Sequence, residues 1–333
     1  MRLSELPTPQ VLVDRSRALA NIDRVQRMAS AAGMRLRPHA KTHKSPSIAR
    51  LQLEAGARGL TVATVSEAEV FAAAGFDDLF IAYPLWVDAA KGRRLRSLLE
   101  RATVSVGVDS AEAAHALAAQ LGADSARVSL LVEVDSGHHR SGVAPRDVAA
   151  LADVAAHTGL DVAGVFTFPG HSYSPGVVND VAGQEAAALA AGAAALREVG
   201  LEPQIVSGGS TPTAAAVGTG TMTELRPGVY VFGDAQQWEL GTVAPDHVAL
   251  TCITTVVSHA GGRVVLDSGS KALGADRAPW ATGYGRLLDH PDARIVLMSE
   301  HHAVATWEGA GPLPEIGDRV RVDTRSGEYV SRA

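Results

Sequence analysis

A single cysteine, Cys252, stands in a chain of 333 residues. One thiol builds neither an internal disulfide nor a cysteine-cluster metal site, which suits a reducing cytoplasm. Positive charge is not in excess: 30 Lys and Arg against 36 Asp and Glu leave a formal net charge of −6. Without an overall positive field the chain is not drawn onto nucleic acid, and a small-molecule partner is expected instead. No stretch approaches the ~18 apolar residues that cross a bilayer. The amino-terminal Met1-Arg2-Leu3-Ser4-Glu5-Leu6-Pro7 also lacks a basic segment followed by an apolar run. A soluble cytoplasmic protein without nucleic-acid or membrane partners is therefore expected.

What is present is repetition. From about residue 35 to 235, short β-branched apolar runs alternate with longer Ala-, Leu-, Glu- and Arg-rich segments of helical period, the pattern of βα units. The runs are Arg35–Lys41, Gly59–Thr64, Asp78–Tyr83, Thr103–Ser110, Arg127–Ser136, Val162–Gly170, Pro203–Ser210 and Thr223–Asp234. Eight strands favour a closed (β/α)8 barrel of the TIM type over an open sheet. The Ala-rich segment from Glu185 to Glu198 is read as helix, since Ala is the best helix former. Beyond Asp234 strands follow without long helices: Val248–His259, Arg263–Asp267, Ala293–Met298 and Asp318–Val322, with Gly261-Gly262 as a hairpin signal. The expected organisation is an α/β barrel over residues 14–235 with a C-terminal β domain over 236–333, to which residues 7–13 can add a strand.

Active sites of such barrels lie at the carboxyl ends of the strands. Those ends carry Lys41-Thr42-His43-Lys44, Tyr83, Asp109, Asp135-Ser136-Gly137-His138-His139-Arg140, Pro169-Gly170-His171-Ser172-Tyr173, Ser207-Gly208-Gly209-Ser210-Thr211 and Arg226-Pro227-Gly228-Val229-Tyr230. Small residues in the last two groups let backbone N–H groups approach a phosphate closely; the same residues also suit a tight turn capping the next helix. Lys41 sits where a strand delivers its last side chain into the barrel mouth. There desolvation and neighbouring cations lower an amine's pKa toward Schiff-base chemistry, although a lone Lys is more often a solvated charge. Arg140 pairs with Asp135 or Glu133 on a bland reading; Gly137 and Gly142 to either side suggest instead a loop bent over a ligand. His171 and Tyr173, beside Pro169-Gly170, are candidates for proton transfer or ring contact.

The runs Arg37-Pro38-His39-Ala40-Lys41-Thr42-His43-Lys44, Thr61–Glu69, Val132–Gly137, Gly170-His171-Ser172-Tyr173 and Glu224-Leu225-Arg226-Pro227-Gly228 resemble the D-threonine aldolase and D-serine dehydratase family of alanine-racemase-like, fold-type-III pyridoxal-phosphate enzymes. The resemblance covers about residues 7 to 322. It implies that Lys41 holds pyridoxal 5′-phosphate covalently and that Arg140 approaches the phenolic oxygen of its ring. It places His171 and Tyr173 on the substrate side and Gly208, Gly209, Ser210, Gly228 and Val229 at the phosphate, with Ser207, Thr211 and Tyr230 beside them and Arg226 at the ring nitrogen. It further implies a small D-amino-acid substrate and a homodimer. One departure stands out: the family continues past its Gly-Asp-Arg-Val segment into a Pro-Asn-His-x-Cys or His-x-Asp motif that binds a divalent metal. Here Ile316–Val322 leads into Asp323-Thr324-Arg325-Ser326-Gly327, and no His or Cys follows His302. No metal ligands are therefore assigned. Adjacent His301 and His302 point to opposite sides of a strand, so a substitute site would draw on one of them and not both.

Loss of a Lewis acid penalises β-elimination most, because hydroxide leaves poorly without one. The expected order is therefore retro-aldol cleavage of D-threonine-type substrates with Lys41 and His171 as catalytic residues, then D-serine dehydration or deamination, then racemisation. A barrel that holds pyridoxal phosphate with little catalysis is the reading from another class, and a sugar-phosphate barrel enzyme without the cofactor is a further one.

Overall fold

The computed structural model describes residues 5–216, 218, 220, 222–307 and 311–324. The chain divides into two compact units: Arg24–Gly228, and the described residues up to Asp23 together with those from Val229 onward. Strand β1 (Gln10–Val13) and helix α1 (Arg15–Ala31) precede eight parallel strands: β2 (Arg35–Leu36), β3 (Leu60–Val62), β4 (Asp78–Pro84), β5 (Thr103–Val108), β6 (Val128–Glu133), β7 (Asp161–Phe166), β8 (Ile205–Gly208) and β9 (Glu224–Leu225). They hydrogen-bond in the order β2-β9-β8-β7-β6-β5-β4-β3. A parallel bridge from His39 to Thr61, with Thr61 N–H donating to Pro38 O at 2.8 Å, joins the two ends. Helices α2 (Pro46–Glu54), α3 (Val65–Ala73), α4 (Ala89–Leu99), α5 (Ala111–Leu121), α6 (Val148–His157) and α7 (Val178–Glu198) fill the crossovers.

Local chemistry sets the helix starts. Ser45, Thr64, Asp88 and Ser110 have extended backbones, and their side chains accept the N–H groups of Ile48, Glu67, Lys91 and Ala113, each satisfying a donor that the first helical turn leaves open. Between β8 and β9 the described residues include a 3-10 turn, Thr213–Ala215.

Two of the expected strands are cut to two residues each. The strand over Arg35–Lys41 is only Arg35–Leu36, and Lys41 lies beyond it in a 3-10 turn, Ala40–Thr42. The strand over Thr223–Asp234 is only Glu224–Leu225, with a 3-10 turn at Val229–Val231. Pro227 is the cause: Arg37 and His39 still donate to Leu225 O and Pro227 O, but Pro227 has no N–H to return the ladder. The Arg37 carbonyl takes the Thr61 hydroxyl instead, at 3.0 Å.

A chain of buried polar groups runs through the barrel interior. Arg37 Nη1 meets Asp78 Oδ1 at 2.5 Å and its Nε meets Glu224 Oε2 at 2.6 Å. Ser207 Oγ donates to Glu224 Oε1 at 2.7 Å, and Arg226 Nε donates to Ser207 Oγ at 2.8 Å. Arg226 Nη2 reaches the Thr167 carbonyl, and its guanidinium lies 5.4 and 5.3 Å from the ring centroids of Phe80 and Phe166. Gly107 on β5 admits Phe166, since a Cβ there would fall 2.5 Å from the ring.

The other unit carries an antiparallel sheet of β1, β10 (Leu250–Ser258), β11 (Val264–Leu266), β12 (Gly285–Leu287), β13 (His290–Met298), β14 (Ala303–Ala305) and β15 (Arg319–Thr324), in the order β1-β10-β11-β14-β13-β12-β15. A further β10–β15 pairing closes it into a barrel around Cys252, Val256, Leu266, Ile295 and Val322. All four strands expected after Asp234 are there, β1 pairs antiparallel with β10, and Gly261 and Gly262 turn with φ of 67° and 72°. Strands β12 and β14, three residues each, are too short to show a period. Among the described residues no helix is long and apolar enough to cross a membrane.

Arg37→Met leaves Glu224 and Asp78 without their shared cation and is expected to cost about 3–5 kcal/mol. The double variant Arg37→Met/Glu224→Leu is expected to cost less than the single one. Urea denaturation monitored by circular dichroism checks both.

Candidate active site

The carboxyl ends of the strands surround a cavity of about 700 Å³ whose walls include Lys41, His39, Tyr83, Asp109, Arg140, Phe168 and Arg226. This is the size of a small-molecule site. Its Thr64 also caps α3.

Phe168 is the common platform. Lys41 Nζ lies 5.8 Å and Arg140 Cζ 5.2 Å from its ring centroid, and the rings of His138 and Tyr173 approach to 5.8 and 6.3 Å. Three cationic side chains, from Lys41, Arg140 and Arg226, thus share one cavity. Arg226 has Glu224, Glu185 and Glu133 around it; burial, ahead of these acids, moves it below its usual value. Glu133 is in turn pushed up by its own burial.

The histidines beside Lys41 add no charge. His43 Nδ1 accepts the Ser45 N–H at 3.0 Å, so the proton sits on Nε2, which meets Gln52 Oε1 at 3.2 Å. Burial lowers its pKa to about 4. His39 Nδ1 accepts the Lys41 N–H at 3.3 Å. Burial, and then Lys41, Arg226, His43 and Arg140, hold its imidazole well below the ordinary value. Lys44, by contrast, is an exposed side chain pairing with Glu67 at 3.5 Å.

The Arg140 loop is folded on its own backbone. A bridge joins Val134 to Val143, Asp135 Oδ1 accepts the N–H groups of Gly137 and His139, and Gly142, with φ of 95°, donates to Asp109 Oδ2 at 3.2 Å. Asp135 is further occupied by His139 Nδ1 at 2.6 Å and Glu133 by the Ser141 hydroxyl at 3.0 Å. Among the described residues Arg140 pairs with neither acid.

The glycine turn after β8 is tight for a physical reason at each position. Gly209 has φ of 89°, and a Cβ on Gly208 would fall 2.6 Å from Glu185 Oε1. A Cβ on Gly228 would lie 2.7 Å from Thr42 Oγ1. Ser210 Oγ hydrogen-bonds Ser172 Oγ at 2.9 Å. Thr211 is half-buried in the same turn, while Val229 and Tyr230 are buried and belong to the other unit. Ser207 faces the other way, its hydroxyl spent on Glu224 in the barrel interior.

His171 is not among the cavity-lining residues. It stacks on His138, centroids 6.3 Å apart, and its Nε2 meets Gln184 Oε1 at 2.9 Å. Sequence reasoning passed over Phe168, His39 and Glu185. An aromatic residue directly before Pro169-Gly170 at a strand end was a usable signal for the first. His301 and His302 are exposed and lie in the turn between β13 and β14 rather than in a strand. No group of three or more His, Cys, Asp and Glu side chains able to hold a metal occurs among the described residues; the segment from Arg325 on lies outside them.

Residues 13–236 match the family described as alanine racemase, N-terminal domain, and residues 249–325 the putative serine dehydratase domain. The D-threo-3-hydroxyaspartate dehydratase of Delftia sp. (strain HT23) is 38% identical over 344 residues, covering 97% of this chain and 90% of that protein. Its solved structure superposes with a TM-score of 0.90 and 33% identity, covering 98% of this chain and 92% of that one. The D-threonine aldolase of Arthrobacter sp. is 33% identical over 330 residues, covering 96% and 85%.

A histidine with a lowered pKa contributes stability that is present above its unfolded value of about 6.5 and is lost as the pH falls through its folded value. For His43 the window runs from about 6.5 down to about 4. Glu185, raised to about 7, acts with opposite sign over nearly the same range, so global stability is a poor reporter. NMR of the His43 ring protons is expected to show one titration with a midpoint near 4; a midpoint near 6.5 contradicts the buried neutral state.

Proposed function

The chain belongs to the D-threonine aldolase and D-serine dehydratase family of alanine-racemase-like enzymes, and we propose that it is a pyridoxal-phosphate-dependent lyase acting on D-3-hydroxy amino acids. The observation that carries this reading is the convergence of Lys41, Arg140 and Arg226 on one cavity, with the glycine turn of Gly208–Ser210 on the strand next to Arg226.

The residues present fit the cofactor. Thr42 Oγ1 is buried with no hydrogen-bond partner among the described residues, and Gly228 leaves open the space beside it that any Cβ would fill. Gly208, Gly209, Ser210 and Gly228 would hold the phosphate, with Thr211 beside them. Arg226 would meet the ring nitrogen, Arg140 the phenolic oxygen, and Lys41 would make the covalent attachment. When bound, the cofactor supplies an electron sink for the bond broken at the substrate α-carbon.

The protein's own groups then divide the proton work. Lys41 is the amine placed to move a proton at the α-carbon, and the neutral His39 beside it adds no charge that would oppose this. Toward the β-hydroxyl, His171 is the proposed base. Its Nε2 proton is directed at Gln184, so the lone pair is on Nδ1, which is buried with no partner among the described residues. His138, stacked on it, is held below its ordinary pKa by burial and then by Arg140 and His171, so a positive charge on the His138 ring beside the proposed base is disfavoured. Tyr173, against Phe168, lines the same side.

Retro-aldol cleavage of D-threonine-type substrates is the first reading, because a histidine base suffices for it. Dehydration is the second, favoured by the higher identity to the Delftia dehydratase. We further propose a cytoplasmic homodimer; multi-angle light scattering giving twice the chain mass supports the dimer, and the chain mass alone contradicts it.

Borohydride reduction of the holoenzyme followed by peptide mapping is expected to place a pyridoxyl adduct on Lys41, absent from Lys41→Ala; no adduct on Lys41 sinks the reading. Incubation with D-threonine, D-serine and D-threo-3-hydroxyaspartate, each with and without manganese or zinc, separates the reactions. Glycine plus an aldehyde marks the aldolase, and a 2-oxo acid plus ammonia the dehydratase. His171→Asn is expected to lower kcat by roughly 10²–10⁴-fold while cofactor absorbance is retained.

A further inference from the structure

Helix α7 carries a carboxylate that the lyase reading does not use. Glu185 is fully buried in a segment otherwise rich in Ala and Leu. Its Oε1 accepts the Gly209 N–H at 2.5 Å and stands where a Cβ on Gly208 would collide. The side chain thus braces the glycine turn through the turn's own backbone. Thr213, in the 3-10 turn that follows, is a second hydrogen-bond partner. Oε2 is buried with no partner among the described residues.

The Gly209 N–H and Thr213 offset the burial of an ionised carboxylate only in part, because Oε2 has no donor among the described residues. Arg226 is the ionised group acting on it from the β9 side, and that guanidinium is shared with Glu224 and Glu133. The other neighbours at this point of the turn, Met222 and Leu189, are apolar. Burial accordingly raises Glu185 to about 7, within reach of a proton at ordinary pH.

We propose that Glu185 is a positioning residue for the phosphate turn and takes up a proton when a dianionic phosphate monoester seats on Gly208–Ser210. The inference rests on the cofactor reading above. Two negative charges on one buried turn oppose each other, so phosphate binding raises the affinity of Glu185 for its proton. By linkage, protonation strengthens phosphate binding to the same extent. The sign follows: affinity is greatest below the free-state midpoint of Glu185 and falls as the pH rises through it, by at most about tenfold per pH unit. The second ionisation of a phosphate monoester, near pH 6, acts in the opposite direction and is complete before this fall develops.

The test uses the full chain freed of cofactor and pyridoxine 5′-phosphate, which carries the phosphate but no aldehyde to react with Lys41. Fluorescence titrations across about pH 6.5 to 9 are expected to show Kd rising severalfold more steeply in wild type than in Glu185→Gln. Ionisations of the probe are common to both proteins, so the difference isolates Glu185. Unphosphorylated pyridoxine is expected to show no such difference. Calorimetry in buffers of unlike ionisation enthalpy is expected to show proton uptake near pH 7.5 for wild type and less for the variant; the wild-type measurement decides alone if the variant does not fold. Binding without proton uptake, or an equally steep rise in Kd in Glu185→Gln, overturns the inference and leaves the cofactor reading standing. No binding of pyridoxine 5′-phosphate at any pH overturns both.

Discussion

The barrel depends on a buried run of charged groups, Asp78, Arg37, Glu224 and Arg226, linked by hydrogen bonds. Arg37, directly after the short first parallel strand, ties Glu224 on the last strand to Asp78 on β4. The two-residue ladder between β2 and β9 is thereby reinforced by side chains where its backbone bonds run out. Gly59 belongs to the same arrangement, since a Cβ there would fall 2.6 Å from Arg37 Nη1. Through Ser207 the chain ends on Arg226, so the guanidinium facing the cavity is oriented from below rather than by whatever occupies the cavity. A buried pair is costly to form and more costly to break, which makes the arrangement a constraint on the fold as much as a source of stability.

Charge and neutrality alternate around the cavity. Lys41, Arg140 and Arg226 supply positive charge toward an anionic ligand, while His39 and His43, though close to Lys41, are kept neutral by burial and by backbone donors that fix their tautomers. Phe168 has two of the cations near its ring, whose quadrupole attracts positive charge.

Much of this was legible in the residues. Each of the eight parallel strands overlaps the apolar run that announced it, and Lys41, Arg140 and Arg226 meet in one cavity as the motifs implied. Strand lengths were not legible, because the end of a ladder depends on whether the partner has an N–H to give, and Pro227 removes one from a strand distant in sequence. Side-chain direction was also hidden. Ser207 and Gly208 are neighbours in a run of small residues, yet alternation sends the Ser207 hydroxyl into the barrel. The 3-10 turn at Gly170–Ser172 likewise carries His171 behind His138. Glu185 was invisible for a different cause: inside an Ala-rich helix a glutamate reads as a solvated edge, and only the fold shows that its face is the buried one.

Thr64 performs two tasks with one side chain, closing the first turn of α3 and forming part of the cavity wall. The walls are therefore unequal in what they permit. At Ala63 and Ala82, which also line the cavity, side-chain volume can change without touching a helix cap, whereas any change at Thr64 alters the helix start and the shape of the chamber together. Variation in the side chain that the chamber accepts is consequently channelled toward the alanine positions, and the outline around Thr64 is inherited with the barrel itself.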